Sequence, residues 1–408
     1  MLGRSGRGAP HSLGAMSAAH LTTLDAPVTP DEVAATLPRL AAALDGGGPA
    51  LLLLPAGSDT VRSAVLEAVS RSPVPDDGTA LVVATSGTTG SPRLAMLGRD
   101  ALRAAGTASA ELLGGRGAYA LALPTSYVAG AMVLVRCVLS GHDPVVVDLT
   151  DGFSVRGFVD AVDALLHQPH DDLRLTSLVP TQLARLLDAG GVATAALVAL
   201  DAVLLGGAAA PASLLQRARE ANVNVVTTYG MTETCGGCVY DGVPLPGVDV
   251  RIVDEHVELT GAVLFSGYLG EPELSARALH DGWFRTNDRG VVHEGTLRVL
   301  GRSDDVVQSG GVNVSVTAVE QSLTELPGVD DAAAVAVPDE EWGTALVAVL
   351  ASQQPWERAA VRAHVTQQLG RASAPREVLV VADLPRLTSG KPDRQALRTL
   401  VARHRTAH

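Results

Sequence analysis

Short apolar runs alternate with longer amphipathic stretches through the first 240 or so residues of this chain. The runs at 50–54, 80–85, 118–123, 144–147, 175–179, 202–205 and 223–227 are bounded by turn residues, and their apolar content is nearly continuous. Such runs are predicted to be strands covered on both faces. Between them, residues 99–113, 154–167, 180–188 and 211–221 carry leucine or alanine at i, i+3 and i+4, the spacing of a helix with one buried face. Strand–helix alternation requires mostly parallel sheets with helices packed on both sides, an α/β architecture.

After about residue 241 the pattern changes. Segments 250–253, 257–259, 261–265, 290–293 and 296–300 are short and separated by turns, which predicts a small antiparallel barrel or sheet. Beyond Asp304 come a predicted helix at 314–323, strands at 332–338 and 345–351, a helix at 357–369 and a strand at 377–381. This is a compact α+β unit of about 100 residues. The expected division is therefore a tail at 1–19, a large domain at 20–303 and a small one at 304–408.

Composition sets further bounds. The hydrophobic share is 47% but aromatics are only 3%, so the cores must be built from Ala, Val and Leu. Residues 306–408 carry eleven acidic and ten basic residues, so nearly all of the net charge of -13 lies before them. No basic patch for a phosphate backbone is expected, and nucleic acid is excluded as a partner. Three cysteines make no disulfide framework. Cys235 and Cys238 have redox or zinc spacing but no further ligands nearby, which favours structural thiols. No apolar run reaches the roughly eighteen residues of a membrane span. The opening residues lack an apolar core like that of a secretion signal. Met16 is an alternative start, and a cytoplasmic location is expected.

Five segments carry chemistry. The first, Thr85-Ser86-Gly87-Thr88-Thr89-Gly90-Ser91-Pro92-Arg93, follows a predicted strand. Its glycines let backbone N–H groups converge on an anion, its hydroxyls add donors and Arg93 adds charge, a set suited to nucleotide phosphates. It is not the lysine-containing Walker loop. The second is Thr227-Thr228-Tyr229-Gly230-Met231-Thr232-Glu233-Thr234. There Glu233 stands at the C-terminal end of a parallel strand, where ligands collect, and it offers a carboxylate for Mg²⁺ or a cap for the turn. The third pairs Asp288 with Arg302, an acceptor and a donor for ribose hydroxyls, or two surface turn residues. The fourth is Ser309-Gly310-Gly311-Val312-Asn313-Val314, whose paired glycines admit a ligand chain close to the backbone. The fifth contains Lys391, the only lysine among 31 basic residues, in Thr388-Ser389-Gly390-Lys391-Pro392-Asp393-Arg394. A compact ammonium reaches a crowded pair of oxyanions where a planar guanidinium does not. No G-x-S-x-G elbow is present, and no histidine lies within these segments, so a serine hydrolase or a His-centred acid–base enzyme is not indicated.

Taken together and in this order, the motifs resemble the adenylate-forming superfamily of acyl-CoA synthetases, peptide-synthetase adenylation domains and luciferases, over residues 80–394. The resemblance implies a large N-terminal domain of layered sheets plus a small β-barrel-like subdomain, followed by a small mobile α+β C-terminal domain. A narrower resemblance rests on Leu123-Pro-Thr-Ser-Tyr-Val-Ala-Gly130, Val133-Leu-Val-Arg136, Ser177-Leu-Val-Pro-Thr-Gln-Leu183, Leu204-Leu-Gly-Gly207 and Thr228-Tyr-Gly-Met-Thr-Glu-Thr-Cys-Gly-Gly237. These are similar to the o-succinylbenzoate–CoA ligases of menaquinone biosynthesis, in a short form.

The resemblance implies residue roles. Thr85, Ser86, Gly87, Thr88, Thr89 and Gly90 contact the pyrophosphate portion of ATP, with Arg93 standing where lysine is usual. Glu233 binds magnesium, and Thr232 lies beside it in the ATP site. Asp288 and Arg302 hold the ribose. Gly207, Ala208 and Tyr229 flank the adenine and acyl group. Gly206 and Tyr127 border the acyl substrate, with Tyr127 standing where many relatives have histidine. Asp304 is the hinge, Gly310 and Gly311 line the pantetheine tunnel, and Lys391 serves adenylation. Asn287 and Asn313 also depart from the common pattern.

The expected activity is ATP-dependent acid–thiol ligation through an acyl-adenylate, with ATP, Mg²⁺ and coenzyme A as co-substrates and o-succinylbenzoate as the acid. The alternatives are a CoA ligase for another aromatic or short-chain acid, an enzyme loading a carrier protein, and a silent nucleotide-binding module. The second carboxylate of o-succinylbenzoate needs a cation, and Arg185, with Arg136 in reserve, is the candidate; the alternative for each is an ion pair with a nearby aspartate. Homo-oligomer formation is left open.

Overall fold

The structure is a computed structural model that describes residues 21–55, 59–85, 92–303, 305–309, 312–339, 342–386 and 392–406. The strand Ala50–Leu54 shows how its layers arise. Leu51 and Leu53 pack into one core with Leu37, Leu40 and Leu44, while Leu52 and Leu54 pack into another with Val65 and Leu269. Side chains alternate along a strand, so a run that is apolar at every position is stable only when both faces are covered. In the strand Gly117–Leu121 the same rule sends Tyr119 and Leu121 one way and Ala118 and Ala120 the other.

Five layers result. Helix Asp59–Ser70 covers the outer face of a first sheet, in the spatial order Leu21–Asp25, Ala50–Leu54, Thr79–Thr85, Arg93–Gly98, Gly267–Tyr268. Its first three strands are parallel and the last two antiparallel. Helices Pro30–Asp45, Arg99–Leu113 and Val128–Ser140 fill the space between this sheet and a second one. The second sheet runs Val243–Pro244, Gly236–Tyr240, Val225–Met231, Ala202–Leu205, Leu173–Leu178, Gly117–Leu121, Val145–Val146. Its last five strands are parallel. Helices Val155–Leu166, Pro180–Ala189, Gly191–Val198 and Ala212–Glu220 cover the far face. The expected α/β class, with helices on both faces of mostly parallel sheets, is what the chain adopts.

A third, antiparallel sheet holds Val248–Val253, His256–Gly261, Trp283–His293, Leu279–His280 and Thr296–Arg302. After it come the hairpin Val306–Ser309 with Val312–Ser315 and a sheet of Asp331–Asp339, Gly343–Ala351 and Glu377–Val381. Helices Val316–Thr324 and Arg358–Leu369 pack on one face of that sheet, and Arg394–Thr406 on the other.

Three expectations change. The strand expected at 261–265 is absent, Gly261 being the end of His256–Gly261: Val263 and Phe265 are buried at strand-like spacing, but the Phe265 amide donates to the Glu233 carbonyl at 2.9 Å instead of joining a ladder. The run at 290–293 is the end of the longer strand Trp283–His293, which a bulge between Arg289 and Gly290 carries through its polar middle. The strand expected at 223–227 instead spans Val225–Met231, because Met231 and Gly230 pair with Gly236 and Gly237 of the returning strand.

That return imposes a steric condition. A methyl group on Gly230 would overlap the Gly236 carbonyl, whereas one on Gly78 would meet nothing. Gly230→Ala is therefore expected to lower stability by about 1–3 kcal/mol or more, the cost of overpacking. Gly78→Ala should be neutral or mildly stabilising. Equal melting temperatures for the two variants would show that the strands do not approach as described.

Candidate active site

The second sheet reverses its direction of winding between Gly117–Leu121 and Leu173–Leu178. From Gly117–Leu121 the chain moves to one edge through a helix on the inner face. From Leu173–Leu178 it moves the other way through helices on the outer face. The connections diverge and leave a crevice at the C-terminal ends of these strands, the usual ligand position in such sheets. Four strand ends meet there: Gly117–Leu121 leads to Tyr127, Leu173–Leu178 to Gln182, Ala202–Leu205 to Gly206 and Gly207, and Val225–Met231 to Glu233. At about 4.8 Å per strand they span roughly 15 Å.

Local chemistry fixes each end. Backbone groups past the last rung of a sheet need partners. The Gln182 amide supplies two, accepting from the Val179 N–H at 3.0 Å and donating to the Ala122 carbonyl at 2.8 Å, so it ties both strands at the reversal. Gly130 lets the start of helix Val128–Ser140 press against the Pro124 carbonyl, where any side chain would clash. Gly206 passes Thr228 equally closely, and Gly207 has φ of +81°. After Val225–Met231 the chain makes a single tight turn, Thr232–Thr234. The buried Thr234 hydroxyl accepts from Met231 N–H at 2.9 Å and donates to the Gly236 carbonyl at 2.7 Å. That turn carries the half-buried Glu233.

Two phenols join this edge to the other sheets. Tyr229 donates to Asp288 Oδ2 at 2.7 Å. Asp288 is 8% exposed, its N–H donates to Thr286 Oγ1 at 3.0 Å, and Arg302 Nη1 lies 3.9 Å from its other oxygen, directly across the ladder. Burial first, and the Asp288 charge second, push the Tyr229 phenol up. Tyr268 donates to Glu233 Oε1 at 2.7 Å, and its phenol is pushed up by burial and by the Glu233 charge. The Arg93 guanidinium carbon lies 5.9 Å from the Tyr268 ring centroid, within cation–π reach. Thr85 and Arg93 face one another across an antiparallel pair, so the segment between them leaves and returns at one point.

Several expected residues thus come together: Thr85 with Arg93, Tyr229 with Asp288 and Arg302, and Glu233 with Gly206 and Gly207 at one sheet edge. Others do not. Arg136 lies two turns along its helix, about 12 Å from the helix start. There it is 8% exposed and donates to Tyr240 Oη at 3.2 Å. Arg185 is exposed, and neither arginine pairs with an aspartate among the described residues. Ser86, Gly87, Thr88, Thr89, Gly90, Asp304, Gly310, Gly311 and Lys391 lie outside the described residues. The base of the Lys391 segment is described: Arg386 bridges to Pro392 and pairs with Asp331, and Arg394 Nη2 meets Glu320 Oε2 at 2.9 Å.

Sequence reasoning missed Tyr268, Gln182 and Thr286. Tyr268 carried one signal, as one of only five tyrosines, set between Gly267 and Gly270. Cys235 and Cys238 are free and fully buried, and burial pushes the Cys238 thiol up to about 12, as structural thiols require. Among the described residues no group of three His, Cys, Asp or Glu side chains could hold a metal, and no helix is long and apolar enough to cross a membrane. A single carboxylate among hydroxyls and backbone groups suits Mg²⁺ carried in on phosphates, and does not suit a protein-caged transition metal. An open depression of about 400 Å³ lies at the opposite edge of the sheet, beside Arg219, Thr227 and Asp241. Its carboxylate is engaged by Thr227, whose N–H and hydroxyl both donate to Asp241 at 2.8 Å.

Comparison with known proteins places this geometry. A model of the AMP-binding enzyme family matches residues 18–269, and one of the AMP-binding enzyme C-terminal domain matches residues 318–391. The chain is 42% identical over 368 residues to a probable 2-succinylbenzoate–CoA ligase of Mycobacterium tuberculosis strain H37Rv, covering 88% of this chain and 94% of that one. It is 34% identical over 331 residues to the 2-succinylbenzoate–CoA ligase of Escherichia coli K12, covering 78% and 68%. A variant E. coli MenE with bound OSB-AMS superimposes with a TM-score of 0.74 at 26% identity, covering 95% of this chain and 88% of that one. The Bacillus subtilis o-succinylbenzoate CoA synthetase (MenE), in complex with the acyl-adenylate intermediate OSB-AMP, gives 0.68 at 26% identity, covering 88% and 80%. With a family match across more than half its length and the strand-end crevice to go with it, this chain belongs to the AMP-binding enzyme family.

Proposed function

We propose that this chain is an AMP-forming acid–CoA ligase that converts 2-succinylbenzoate to its CoA thioester. The carrying observation is the 42% identity to a relative of that name across nearly the whole of both chains. ATP, Mg²⁺ and coenzyme A are the co-substrates, and a cytoplasmic site of action is part of the proposal. In the first step a substrate carboxylate oxygen bonds to the α-phosphorus of ATP and pyrophosphate leaves. In the second the sulfur of CoA bonds to the acyl carbon, AMP leaves and the thiol proton is released.

The chain's own groups divide this work. Residues 85–90, with Arg93 beyond them, take the pyrophosphate portion of ATP through backbone and hydroxyl donors. Magnesium, when bound, offsets phosphate charge; Glu233 holds it, with Thr232 beside it. Tyr229 fixes the carboxylate of Asp288, which accepts from the ribose hydroxyls while Arg302 donates to them. Gly206, Gly207 and Ala208 form a low wall that admits the adenine and acyl group, and Tyr127 borders the acyl side of the same crevice. Lys391 places a point charge between the reacting carboxylate and the α-phosphate, where charge develops in the transition state. The unit from Asp304 onward then turns about that residue, withdrawing Lys391 and bringing Gly310 and Gly311 to the pantetheine. Of the two arginines considered for the second carboxylate, Arg185 is the accessible one, and Arg136 is engaged with Tyr240 in the interior.

Purified protein given 2-succinylbenzoate, Mg·ATP and CoA should yield AMP, pyrophosphate and the thioester in equal amounts. Turnover of another acid with none of this one would reject the substrate and keep the ligase chemistry. Lys391→Ala should abolish acyl-AMP formation and largely spare thioester formation from supplied acyl-AMP; equal loss of both half-reactions would make the lysine structural. Arg185→Ala should weaken use of 2-succinylbenzoate by about tenfold to several hundredfold, the worth of a charged hydrogen bond, with little change in ATP affinity. Loss by the same factor on benzoate, which lacks the side-chain carboxylate, would remove Arg185 from recognition.

A further inference from the structure

Glu233 has two carboxylate oxygens, and among the described residues one hydrogen bond reaches them, from the Tyr268 hydroxyl to Oε1 at 2.7 Å. The turn Thr232–Thr234 fixes the backbone of Glu233 but not its three side-chain torsions. Tyr268 is far more constrained. It is 6% exposed and pairs with Ala95 across the first sheet, and its N–H donates to Ser275 Oγ at 2.8 Å. Phe265 meets its ring edge-on at 4.9 Å. Phe265 is itself anchored to Glu233, since its N–H donates to the Glu233 carbonyl at 2.9 Å. Phenol and carboxylate are therefore held in one frame, although they come from different sheets. Arg93, which follows the hydroxyl-rich segment, rests over the same ring.

We propose that Tyr268 is a positioning residue for Glu233: by occupying Oε1 it leaves Oε2 as the single oxygen presented to the magnesium ion of Mg·ATP. The inference rests on the assignment of Glu233 to magnesium made above. Mg²⁺ takes near-octahedral geometry with one oxygen from each ligand, and a carboxylate free to rotate would offer it two. A group that orients a metal ligand through its second atom typically changes metal affinity tenfold to a hundredfold when removed.

The test is the equilibrium binding of Mn²⁺, read as loss of the free-ion EPR signal, in the presence of α,β-methylene ATP, whose methylene bridge prevents the departure of pyrophosphate and so blocks adenylyl transfer. Tyr268→Phe keeps the ring and its packing. It should raise the Mn²⁺ dissociation constant about tenfold. In acyl-AMP formation it should raise the Mg²⁺ concentration giving half-maximal rate, with the rate at saturating Mg²⁺ within about threefold of wild type. Glu233→Gln should weaken Mn²⁺ binding further, and adding Tyr268→Phe to it should change nothing more. If Tyr268→Phe alone leaves Mn²⁺ binding intact while Glu233→Gln abolishes it, Tyr268 is a packing residue and the proposal is wrong. If Tyr268→Phe weakens binding equally in the wild-type and Glu233→Gln backgrounds, its effect is a loosened fold and the proposal is again wrong. If Glu233→Gln leaves binding unchanged, the assignment of Glu233 fails and the inference falls with it.

Discussion

Everything in the large part of this molecule depends on strands that must be covered on both faces. Leu51 and Leu53 face one helical layer and Leu52 and Leu54 another, so neither face of this strand is available to solvent or ligand. The parallel strands of the second sheet are enclosed in the same way. Polar groups that must meet a ligand are thereby left to the ends of the strands, where ladder hydrogen bonds run out and connecting segments must turn. At the C-terminal edge those turns hold Tyr127, Gln182, Gly206, Gly207 and Glu233 side by side. The candidate site follows from the way the core is closed.

Coverage of the faces does not align one sheet with the next. Tyrosines do that here, and in a chain with five of them three are used so. Tyr229 ties the second sheet to Asp288 of the third, and Tyr268 ties the first to Glu233 at the end of the second. Tyr240 ties the second sheet inward, accepting from Arg136 and exchanging a hydrogen bond of 2.9 Å with Ser109. A phenol suits the task because its ring packs as a hydrophobe while its hydroxyl meets a polar group at the far end. Two of the three end on carboxylates, Asp288 and Glu233, so the bonds that join the sheets also orient these two side chains.

The C-terminal unit applies ion pairs to a smaller problem. The segment that contains Lys391 is closed at its base by the Arg386–Pro392 bridge. On either side Arg386 pairs with Asp331 and Arg394 with Glu320. Burial pushes the Glu320 carboxyl up, and Arg394 opposes that shift. Half-buried pairs of this kind add little net stability, and the best-attested use of ion pairs withdrawn from solvent is to fix register. Here they fix the two ends of the segment that contains the only lysine of the chain.

The sequence by itself determined the layered α/β class, because a nearly unbroken apolar run has one stable solution, burial on both faces. It also marked the residues proposed to carry chemistry: Glu233, Asp288, Arg302 and Lys391 stand out as charged groups in Gly-, Ser- and Thr-containing segments. Where local pattern imitated structure it misled, as at Val263 and Phe265, whose strand-like spacing reflects burial under Glu233 and not a ladder. Only the tertiary structure decided that Tyr268 meets Glu233, 35 residues away, and that Tyr229 meets Asp288, 59 residues away. It also decided that Arg136 turns inward to Tyr240 while Arg185 stays exposed. The reason is physical. Burial and local turn chemistry are properties of neighbouring residues and are written along the chain. A hydrogen bond between sheets depends on how whole layers stack, and no local pattern encodes that.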